Sequence, residues 1–405
     1  MDLHLGGGLL ATGIVLGTFG LLFVDHLEQY PVSRSVTAAT GAVLLIGLGI
    51  VSPERALQAV SVQTILLLFG MLVHVAVLAR SGFYDWVATQ LVLRAQTPRR
   101  LTLGALGLAG ILSAFALNDA TVLLLAPVLI TAANEGDTDP VPPLLAVIFG
   151  ANIGSVATPL GNPQNAFIIS ESSMATTTFV SVLAPVGLVS LVVAGAFLWP
   201  TVSSEGTLSK PSIPEFDRRW ALTSIGFLVV TFGLLLVVNS VEAGTVAAST
   251  ATLHLVWLQG SHRIAGDEIF GDVDWSILVL FTGLFALIAG LDGTRLLELV
   301  NSVHGPLRLG GAVFVLSNLV SNVPAVVLLS TGLSADATTG WLVLAAASTL
   351  AGNATPIASA ATLILLKRAA NDDVTIPIRE LLRLGIPVAV STTVLGIGMV
   401  VFLTG

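Results

Sequence analysis

The chain has 405 residues, of which 54% are hydrophobic and 10% are charged, and its mean hydropathy is +0.94. Soluble domains carry charge on roughly 25% of their residues, so this composition excludes a soluble globular protein and indicates one that crosses a lipid bilayer many times. The net charge is -8, and the absence of cysteine excludes thiol chemistry, thiolate metal sites and disulfides. No basic region precedes the first apolar run, so we expect no cleaved signal peptide.

Apolar runs of membrane-spanning length predict ten full crossings. In chain order they lie at roughly 7–25, 38–52, 58–79, 143–170, 178–200, 220–240, 244–260, 275–290, 341–366 and 384–404. We also predict two re-entrant hairpins, at 101–133 and 306–333. Each stretch is too long for one straight span, too short for two, and polar at its middle. A bilayer tolerates two half-length helices that meet at a polar tip only where protein buries that tip.

Three segments differ from the spans. Segment 81–100 mixes aromatic and charged residues at helical spacing, which is typical of a helix at the membrane surface, and 293–308 resembles it. Segment 201–219 is polar and contains prolines, so we interpret it as a cytoplasmic linker. With both termini outside, every lysine and arginine except Arg55, Arg295 and Arg308 lies on the inner side, as the positive-inside rule requires.

The chain contains an internal repeat. Asn118 and Asn322 lie 204 residues apart in the two hairpins, and the tripeptide at 157–159 recurs at 354–356, 197 residues later. Each half contains an odd number of crossings, so the second half is inverted relative to the first. We therefore predict an all-α polytopic membrane protein with two inverted repeats, 1–200 and 220–405, each with five transmembrane helices and one re-entrant hairpin.

The hairpin tips contain the candidate ion-coupling residues, Asn118, Asp119, Ser321 and Asn322. An ionisable side chain near the membrane centre, such as Asp119, is costly and by default functional. Three roles are open for it: a proton carrier, since removal from water favours the neutral carboxyl, a fixed cation ligand, or a helix cap. Amide oxygens suit hard cations, so Asn118, Asp119 and Asn322 are candidate Na⁺ ligands. Val323 stands opposite Asp119, which makes any cation site in the second tip neutral.

A dense break interrupts the fourth crossing at 158–165, where the sequence reads TPLGNPQN. Two prolines and a glycine free backbone groups there, and helices that restart at this depth direct positive N-terminal ends at a bound anion. A purely structural kink is the alternative. A second break with fewer polar residues follows at 355–359. The residues predicted to bind substrate are Thr158, Gly161, Asn162, Gln164, Asn165, Thr355, Pro356 and Ser359.

The remaining polar residues point to no enzyme. His74 and His254 lie in predicted spans, where a lone histidine is more often packed and hydrogen bonded than functional. The chain contains no HExxH or GxSxG motif, and both lysines lie in loops, so no nucleophile–base pair supports an intramembrane enzyme. We expect a transporter with no cofactor other than H⁺ or Na⁺ as the coupling ion, and with no nucleic acid partner.

At the paired tips and broken helices the chain resembles the ion transporter superfamily, which contains arsenite permeases (ArsB), NhaD-type sodium/proton antiporters, divalent anion/sodium symporters and citrate-transporter-like permeases. Asn118-Asp119 is similar to the Asn-Asp of the first two groups, and Ser321-Asn322 to the Ser-Asn of the symporter tip. The stretch at 158–165 is similar to the TPIGNPQN of a permease branch close to the arsenite permeases. Asp119 and Val323-Pro324 depart from the symporter tips.

This resemblance covers nearly the whole chain and implies a homodimer in the cytoplasmic membrane, with a scaffold and a mobile unit that carries both hairpins. Three functions follow for the chain. The first is transport of a small anion or an arsenite-like solute, coupled to H⁺ or Na⁺. The second is Na⁺/H⁺ antiport, in which Asp119 binds the two ions alternately. The third is dicarboxylate or citrate symport, against which the tip departures argue.

Overall fold

The computed structural model describes residues 2–24, 33–204, 208, 211–238, 240–261, 263 and 266–405, and this part of the chain is helical and contains no strand. Lys210, which the sequence places in the cytoplasmic linker, lies outside the described residues. In chain order the α-helices are α1 (Asp2–Val24), α2 (Arg34–Gly47), α3 (Pro53–Ala59), α4 (Val62–Arg80), α5 (Phe83–Ala95), α6 (Pro98–Phe115), α7 (Asn118–Glu135), α8 (Val141–Gly154), α9 (Pro163–Glu171), α10 (Thr176–Leu198), α11 (Arg218–Val237), α12 (Ala243–Gly260), α13 (Gly266–Asp272), α14 (Trp275–Ala289), α15 (Arg295–Asn301), α16 (Pro306–Val320), α17 (Asn322–Ser330), α18 (Thr338–Ala351), α19 (Ala360–Asn371) and α20 (Ile378–Thr404).

Within the described residues, four helices are long and apolar enough to cross a membrane: α4, α10 with its extension to Thr201, α11 and α20. Shorter apolar helices include α2, α8, α14, α16 and α18. Two of the predicted crossings are interrupted, because 143–170 contains α8 and α9, and 341–366 contains α18 and the start of α19. The non-helical residues between these helices must be enclosed by protein at membrane depth. The number of full crossings stays a prediction.

The two predicted hairpins are helix pairs, α6 with α7 and α16 with α17. Each pair is joined through a non-glycine residue with positive φ, +49° at Leu117 and +80° at Ser321. Such backbone is sparsely populated and persists where surrounding structure enforces it. Helix α17 begins at Asn322, because the reversal is complete at Ser321. Pro324 falls in its first turn, where N–H groups lack intrahelical acceptors.

Helices from the two halves of the chain interleave. Helix α2 packs on α14, α4 on α12, α7 on α19, α9 on α17 and α10 on α20. Small residues allow the closest approaches: a Cβ added to Gly154 of α8 would overlap the backbone of Gly110 in α6. Close backbone packing at small residues is the usual way in which membrane helices associate. In this packing Asn118, Ser321 and Asn322 of the two tips are buried.

The end of the predicted linker is docked on the first half. The backbone N–H of Asp217 donates to Ser81 O at 3.1 Å, and the rings of Phe216 and Trp86 lie 4.7 Å apart between centroids. The Asp217 carboxylate then caps α11 by accepting from the N–H of Trp220 at 2.8 Å. The end of the linker therefore ties the start of α11 to the junction between α4 and α5.

Candidate functional site

A cavity of about 910 Å³ lies where the helix-pair tips meet the interrupted helices. Its wall contains residues from the first turns of α2, α7, α9, α14, α17 and α19. Helix N-termini carry partial positive charge and unsatisfied N–H groups, so their convergence favours a bound anion. The predicted site residues that line the cavity are Asn118, Asp119, Gln164, Ser321, Asn322, Pro356 and Ser359.

Each tip is hydrogen bonded to one break by its backbone. The N–H of Asn118 donates to Gly161 O at 2.9 Å, and the N–H of Asn322 donates to Ala358 O at 3.1 Å. Gly161 and Ala358 are 197 residues apart, the spacing of the repeated tripeptide. A Cβ on Gly161 would overlap the backbone of Ser155, so glycine is required for the turn that presents this carbonyl. The two tips are therefore held in the same way.

Asn152, near the end of α8, joins the first tip to the second break. Its Nδ2 donates to Gly352 O at 3.2 Å and to Asn353 Oδ1 at 3.1 Å. Its Oδ1 accepts from Asn118 Nδ2 at 3.2 Å and from Ser359 Oγ at 2.8 Å. The side chain is buried, and a buried amide satisfied in this way fixes the relative position of its partners. Asn152 is not among the predicted substrate or ion-coupling residues, although it is the amide of the apolar stretch VPPLLAVIFGANIG.

Each break is hydrogen bonded to the helix that precedes the other break. Asn162 Nδ2 donates to Thr349 Oγ1 at 3.2 Å, and Ser359 Oγ donates to Asn152 Oδ1 at 2.8 Å. Ser359 lies 197 residues after Asn162, and Thr349 lies 197 residues after Asn152. The same two positions thus bond in both directions, which is the pattern that a local two-fold axis produces.

Several predicted substrate residues are turned into the first break and do not line the cavity. Asn162 Nδ2 donates to Ser155 O at 3.2 Å, and Asn165 Nδ2 donates to Ser155 O at 2.9 Å and to Thr158 O at 3.2 Å. The Thr158 hydroxyl donates to Ala114 O at the end of α6. These side chains satisfy backbone groups that the break frees, so in this conformation they shape the site rather than face a solute.

The second break is simpler. Thr355 Oγ1 donates to Asn318 Oδ1 of α16 at 2.8 Å, which fixes this segment to the second helix pair. Pro356 and Ser359 lie on the cavity wall. This break therefore exposes more of its predicted residues to the cavity than the first break does.

Asp119 lies in the first turn of α7, half-buried on the cavity wall. Its carboxyl lies near the start of α19 and within electrostatic reach of Arg34 and Asp274. Val323, the corresponding residue of the second tip, also lines the cavity. The carboxyl of Asp119 therefore faces the cavity from the first tip, as the predicted ion-coupling role requires.

Two amide oxygens at the tips have no hydrogen-bond partner among the described residues: Oδ1 of Asn118 and Oδ1 of Asn322. A buried acceptor without a partner is unfavourable, and both residues line the cavity. Oxygen atoms of this kind suit Na⁺. In the described part of the chain, no group of three His, Cys, Asp or Glu side chains is arranged to hold a metal ion.

Arg34 also lines the cavity and is not among the predicted site residues. It is the first residue of α2, where the Ser33 hydroxyl caps the helix. Its Nη1 donates to Ser321 Oγ at 3.0 Å, and its Nη2 donates to Ile357 O at 3.1 Å. These bonds connect α2 to the second tip and the second break. The sequence showed Arg34 as an inner-side basic residue, and no local pattern indicates a contact with a residue 287 positions later.

The two membrane histidines are hydrogen bonded to each other. His74 Nδ1 and His254 Nδ1 lie 3.0 Å apart, His74 Nε2 lies 3.1 Å from Thr231 Oγ1, and His254 Nε2 lies 3.0 Å from Ser224 Oγ. All four side chains are buried, and none of them lines the cavity. The prediction of packed, hydrogen-bonded histidines agrees with this geometry, but the sequence did not show that they form one network between α4, α11 and α12.

Comparison with known proteins gives consistent results. A family model described as Citrate transporter (CitMHS) matches residues 21–351. The silicon efflux transporter LSI3 of Oryza sativa subsp. japonica is 26% identical over 88% of this chain and 89% of its own. The magnetosome protein MamN of Paramagnetospirillum magneticum is 26% identical over 74% of this chain and 70% of its own. Among solved structures, the YdaH transporter of Alcanivorax borkumensis has a similar fold, with a TM-score of 0.58, 13% identity and 98% coverage of both chains.

The family match includes both tips and the whole first break, and the similarity to YdaH extends over nearly all of the fold. Several further relatives carry the name of transporter, including Rv2685 of Mycobacterium tuberculosis, at 26% identity over 88% of this chain. These proteins are transporters and not enzymes, which confirms the corresponding predictions. The chain is a membrane transporter that belongs to the citrate transporter (CitMHS) family.

Proposed function

We propose that this chain is a secondary active transporter of the cytoplasmic membrane that moves a small anion or an arsenite-like hydroxide, coupled to H⁺ or Na⁺. The observation that carries the proposal is the position of Asp119. It is a half-buried carboxyl on the wall of a cavity where both tips and both breaks meet. A titratable group where the tips and breaks meet can exchange an ion while it contacts a solute. Coupling requires such a group.

The matched contacts between the two halves of the chain support the inverted repeats and the alternating access that we propose. The contacts between the two halves occur in pairs related by the repeat. The contact of α2 with α14 corresponds to that of α12 with α4, and the contact of α7 with α19 corresponds to that of α17 with α9. The reciprocal bonds Asn162 to Thr349 and Ser359 to Asn152 follow the same relation. Transporters with inverted repeats bind substrate at broken helices near the membrane centre and move one unit against another. A homodimer and a mobile unit with both hairpins remain expectations from the resemblance.

The solute class follows from the cavity wall. Convergent helix N-termini and the guanidinium of Arg34 favour an anion, and amide and hydroxyl groups of Gln164, Ser321 and Ser359 suit a solute rich in oxygen. The name of the rice relative refers to silicon efflux, and silicic acid in water is a small hydroxide like arsenite. The family description refers to citrate, and a cavity of about 910 Å³ has room for it, so citrate belongs in the test.

A second candidate is Na⁺/H⁺ antiport. The observation in its favour is the pair of unpartnered oxygens, Asn118 Oδ1 and Asn322 Oδ1, on the same wall as Asp119. Together these residues offer the oxygen ligands that Na⁺ needs, and protonation of the carboxyl would weaken that set. In this case Na⁺ is the transported solute and Arg34 has no transported anion to bind.

Flux into proteoliposomes separates the candidates. Purified protein is reconstituted, a pH gradient is imposed, and uptake of labelled Na⁺, phosphate, citrate, arsenite and silicic acid is measured with and without a Na⁺ gradient. We expect gradient-driven movement of at least one oxyanion or hydroxide. Movement of Na⁺ against H⁺ with none of these solutes would establish the antiporter, and the absence of any gradient-driven flux would refute coupled transport.

Asp119→Asn tests the coupling residue directly. Asparagine keeps the size and the capacity for hydrogen bonds but removes the charge and the titration. We expect coupled transport to be abolished and the pH dependence of residual exchange to be flat, with expression near that of the wild type. Asp336→Asn, in the exposed loop after α17, is the matched control. An unaltered pH profile in Asp119→Asn would show that the carboxylate is only a helix cap.

A further inference from the structure

Asn152 uses its whole capacity for hydrogen bonds. Its Nδ2 donates to Gly352 O at 3.2 Å and to Asn353 Oδ1 at 3.1 Å. Its Oδ1 accepts from Asn118 Nδ2 at 3.2 Å and from Ser359 Oγ at 2.8 Å. A primary amide has two N–H bonds and two oxygen lone pairs, so all four are engaged. The side chain is 1% exposed, which closes these bonds to solvent.

These bonds fix the direction in which the Asn152 amide faces. A backbone carbonyl accepts hydrogen bonds and cannot donate them, so the amide atom beside Gly352 O must be the nitrogen. The oxygen of the same amide therefore lies on the side of Asn118. Because Asn152 offers an acceptor there, the Asn118 amide faces it with nitrogen and has its own oxygen on the opposite side. One backbone carbonyl thus sets the orientation of two amides in succession.

The oxygen of Asn118 is the group that this orientation leaves for a ligand. Asn118 lines the cavity, and its backbone N–H already donates to Gly161 O at 2.9 Å. Its Oδ1 has no hydrogen-bond partner among the described residues, and a buried acceptor in that state is unfavourable until a ligand binds it. Amide oxygens bind hard cations such as Na⁺. An anion would need the amide nitrogen, which faces Asn152 instead.

The second tip lacks this arrangement. Asn322 also has an Oδ1 without a partner in the described part of the chain. The residue that lies 197 positions after Asn152 is Thr349, and its Oγ1 accepts from Asn162 Nδ2 and Gln164 Nε2. The amide of Asn322 is therefore not anchored in the way that Asn152 anchors the amide of the first tip.

We infer that Asn152 is a positioning residue for the coupling ion: it holds the nitrogen of the Asn118 amide and so presents the oxygen to Na⁺ at the first tip. The inference rests on the proposed function and deepens it, because it selects Na⁺ as the coupling ion. Asn152 lowers the cost of ordering a ligand side chain when the ion binds. Ser359, on the cavity wall, donates to the same Asn152 oxygen, so the ion ligand and the wall share one anchor.

The experiment separates Na⁺ binding from stability in the purified full-length protein. The melting temperature is measured in one detergent at one pH while NaCl replaces choline chloride at constant total salt. The value in choline chloride reports stability, and its increase with Na⁺ reports ion affinity, since a ligand of the native state stabilises it. The variants are Asn118→Ala, Asn152→Ala and their double variant. Thr349→Val is the matched control, because it removes a buried acceptor of two hydrogen bonds at the corresponding position and leaves Asn118 anchored.

Na⁺ should stabilise the wild type. Asn118→Ala should lose about tenfold to a hundredfold in Na⁺ affinity, the scale of one bond to a charged group. Asn152→Ala should lose about twofold to tenfold, the cost of ordering one side chain, and should also melt at a lower temperature in choline chloride. The double variant should bind Na⁺ as Asn118→Ala does, because Asn152 acts through Asn118. Thr349→Val should be less stable in choline chloride and keep the Na⁺ affinity of the wild type.

Four results would overturn the inference and leave the proposed function intact. Proton-driven flux in a wild type that Na⁺ does not stabilise would show that the coupling ion is H⁺. Wild-type Na⁺ affinity in Asn118→Ala would show that its oxygen is not a ligand, and this result decides the matter even where Asn152→Ala does not fold. Wild-type Na⁺ affinity in Asn152→Ala, with lower stability, would make Asn152 a structural link alone. Additive losses in the double variant would show that Asn152 does not act through Asn118.

The proposed function has a separate test in the flux measurement. Absence of any gradient-driven flux in the wild type would refute coupled transport itself, whichever variants bind Na⁺.

Discussion

Asn162→Ala tests whether the first break binds solute or holds the fold. Asn162 is the N-cap of α9, and its Oδ1 accepts from the N–H of Asn165 at 2.8 Å. Its Nδ2 is within hydrogen-bond distance of Ser155 O, Ser155 Oγ and Thr349 Oγ1, at 3.2, 3.0 and 3.2 Å. The side chain is fully buried at 0% exposure, so no water replaces these partners when the amide is removed.

The expected loss of stability follows from these contacts. The N–H of Asn165 becomes an unpaired buried donor, which costs about 1–3 kcal/mol. Loss of the Asn162 Nδ2 donor adds only about 1 kcal/mol. Its acceptors keep other partners, because Ser155 O still accepts from Asn165 Nδ2 at 2.9 Å and Thr349 Oγ1 still accepts from Gln164 Nε2 at 3.3 Å. We therefore expect Asn162→Ala to lose about 2–4 kcal/mol of unfolding free energy.

The assay is thermal or denaturant unfolding of the purified protein in one detergent, together with solute affinity in the folded fraction. Gln164→Ala is the matched control, because Gln164 lines the cavity and makes one hydrogen bond at 3.3 Å. It should lose less stability than Asn162→Ala, about 1 kcal/mol for its one hydrogen bond, and bind solute more weakly. A wild-type melting temperature in Asn162→Ala, together with reduced solute affinity, would refute this reasoning and favour the direct substrate contact that the sequence predicted.

Two further predictions concern the histidine network and the topology. His254→Ala leaves His74 Nδ1 and Ser224 Oγ without their buried partner, so it should lose about 2–3 kcal/mol of stability. In the double variant His74→Ala/His254→Ala the loss should be smaller than the sum of the two single losses. Additive losses would contradict a shared network. Single cysteines introduced into this cysteine-free chain should react with an impermeant reagent in right-side-out cells at Asp336→Cys and not at Arg379→Cys, and labelling at position 379 would refute the predicted orientation.

The sequence was most informative where polar residues interrupt an apolar run. Amides and a carboxyl inside apolar runs identified both tips, and TPLGNPQN identified the first break, because polar groups at that depth must be enclosed by protein. The tripeptide repeat identified the second break even though it lacks the asparagines of the first. Asn118, Asp119, Ser321 and Asn322 accordingly line one cavity.

Side-chain direction and long-range partners were beyond such patterns. Asn162 and Gln164 are two residues apart and equally polar, yet one faces the break and the other faces the cavity. Arg34 is separated by 287 residues from Ser321, and His74 by 180 residues from His254. Only the packing of α2, α4 and α12 against their neighbours brings these pairs together, and no local period in the sequence encodes that packing.

The two halves of the site have corresponding hydrogen bonds but differ in their charged residues. Both tips bond a break carbonyl through an asparagine N–H, and each break bonds the helix that precedes the other break. The first tip nevertheless has Asp119 where the second has Val323, and Arg34 donates to Ser321 of the second tip. Asp119 and Arg34 line the same cavity, together with Asp274 and Lys367. Under the coupling role that we propose for Asp119, the ion is exchanged at the first tip alone, because Val323 has no titratable group.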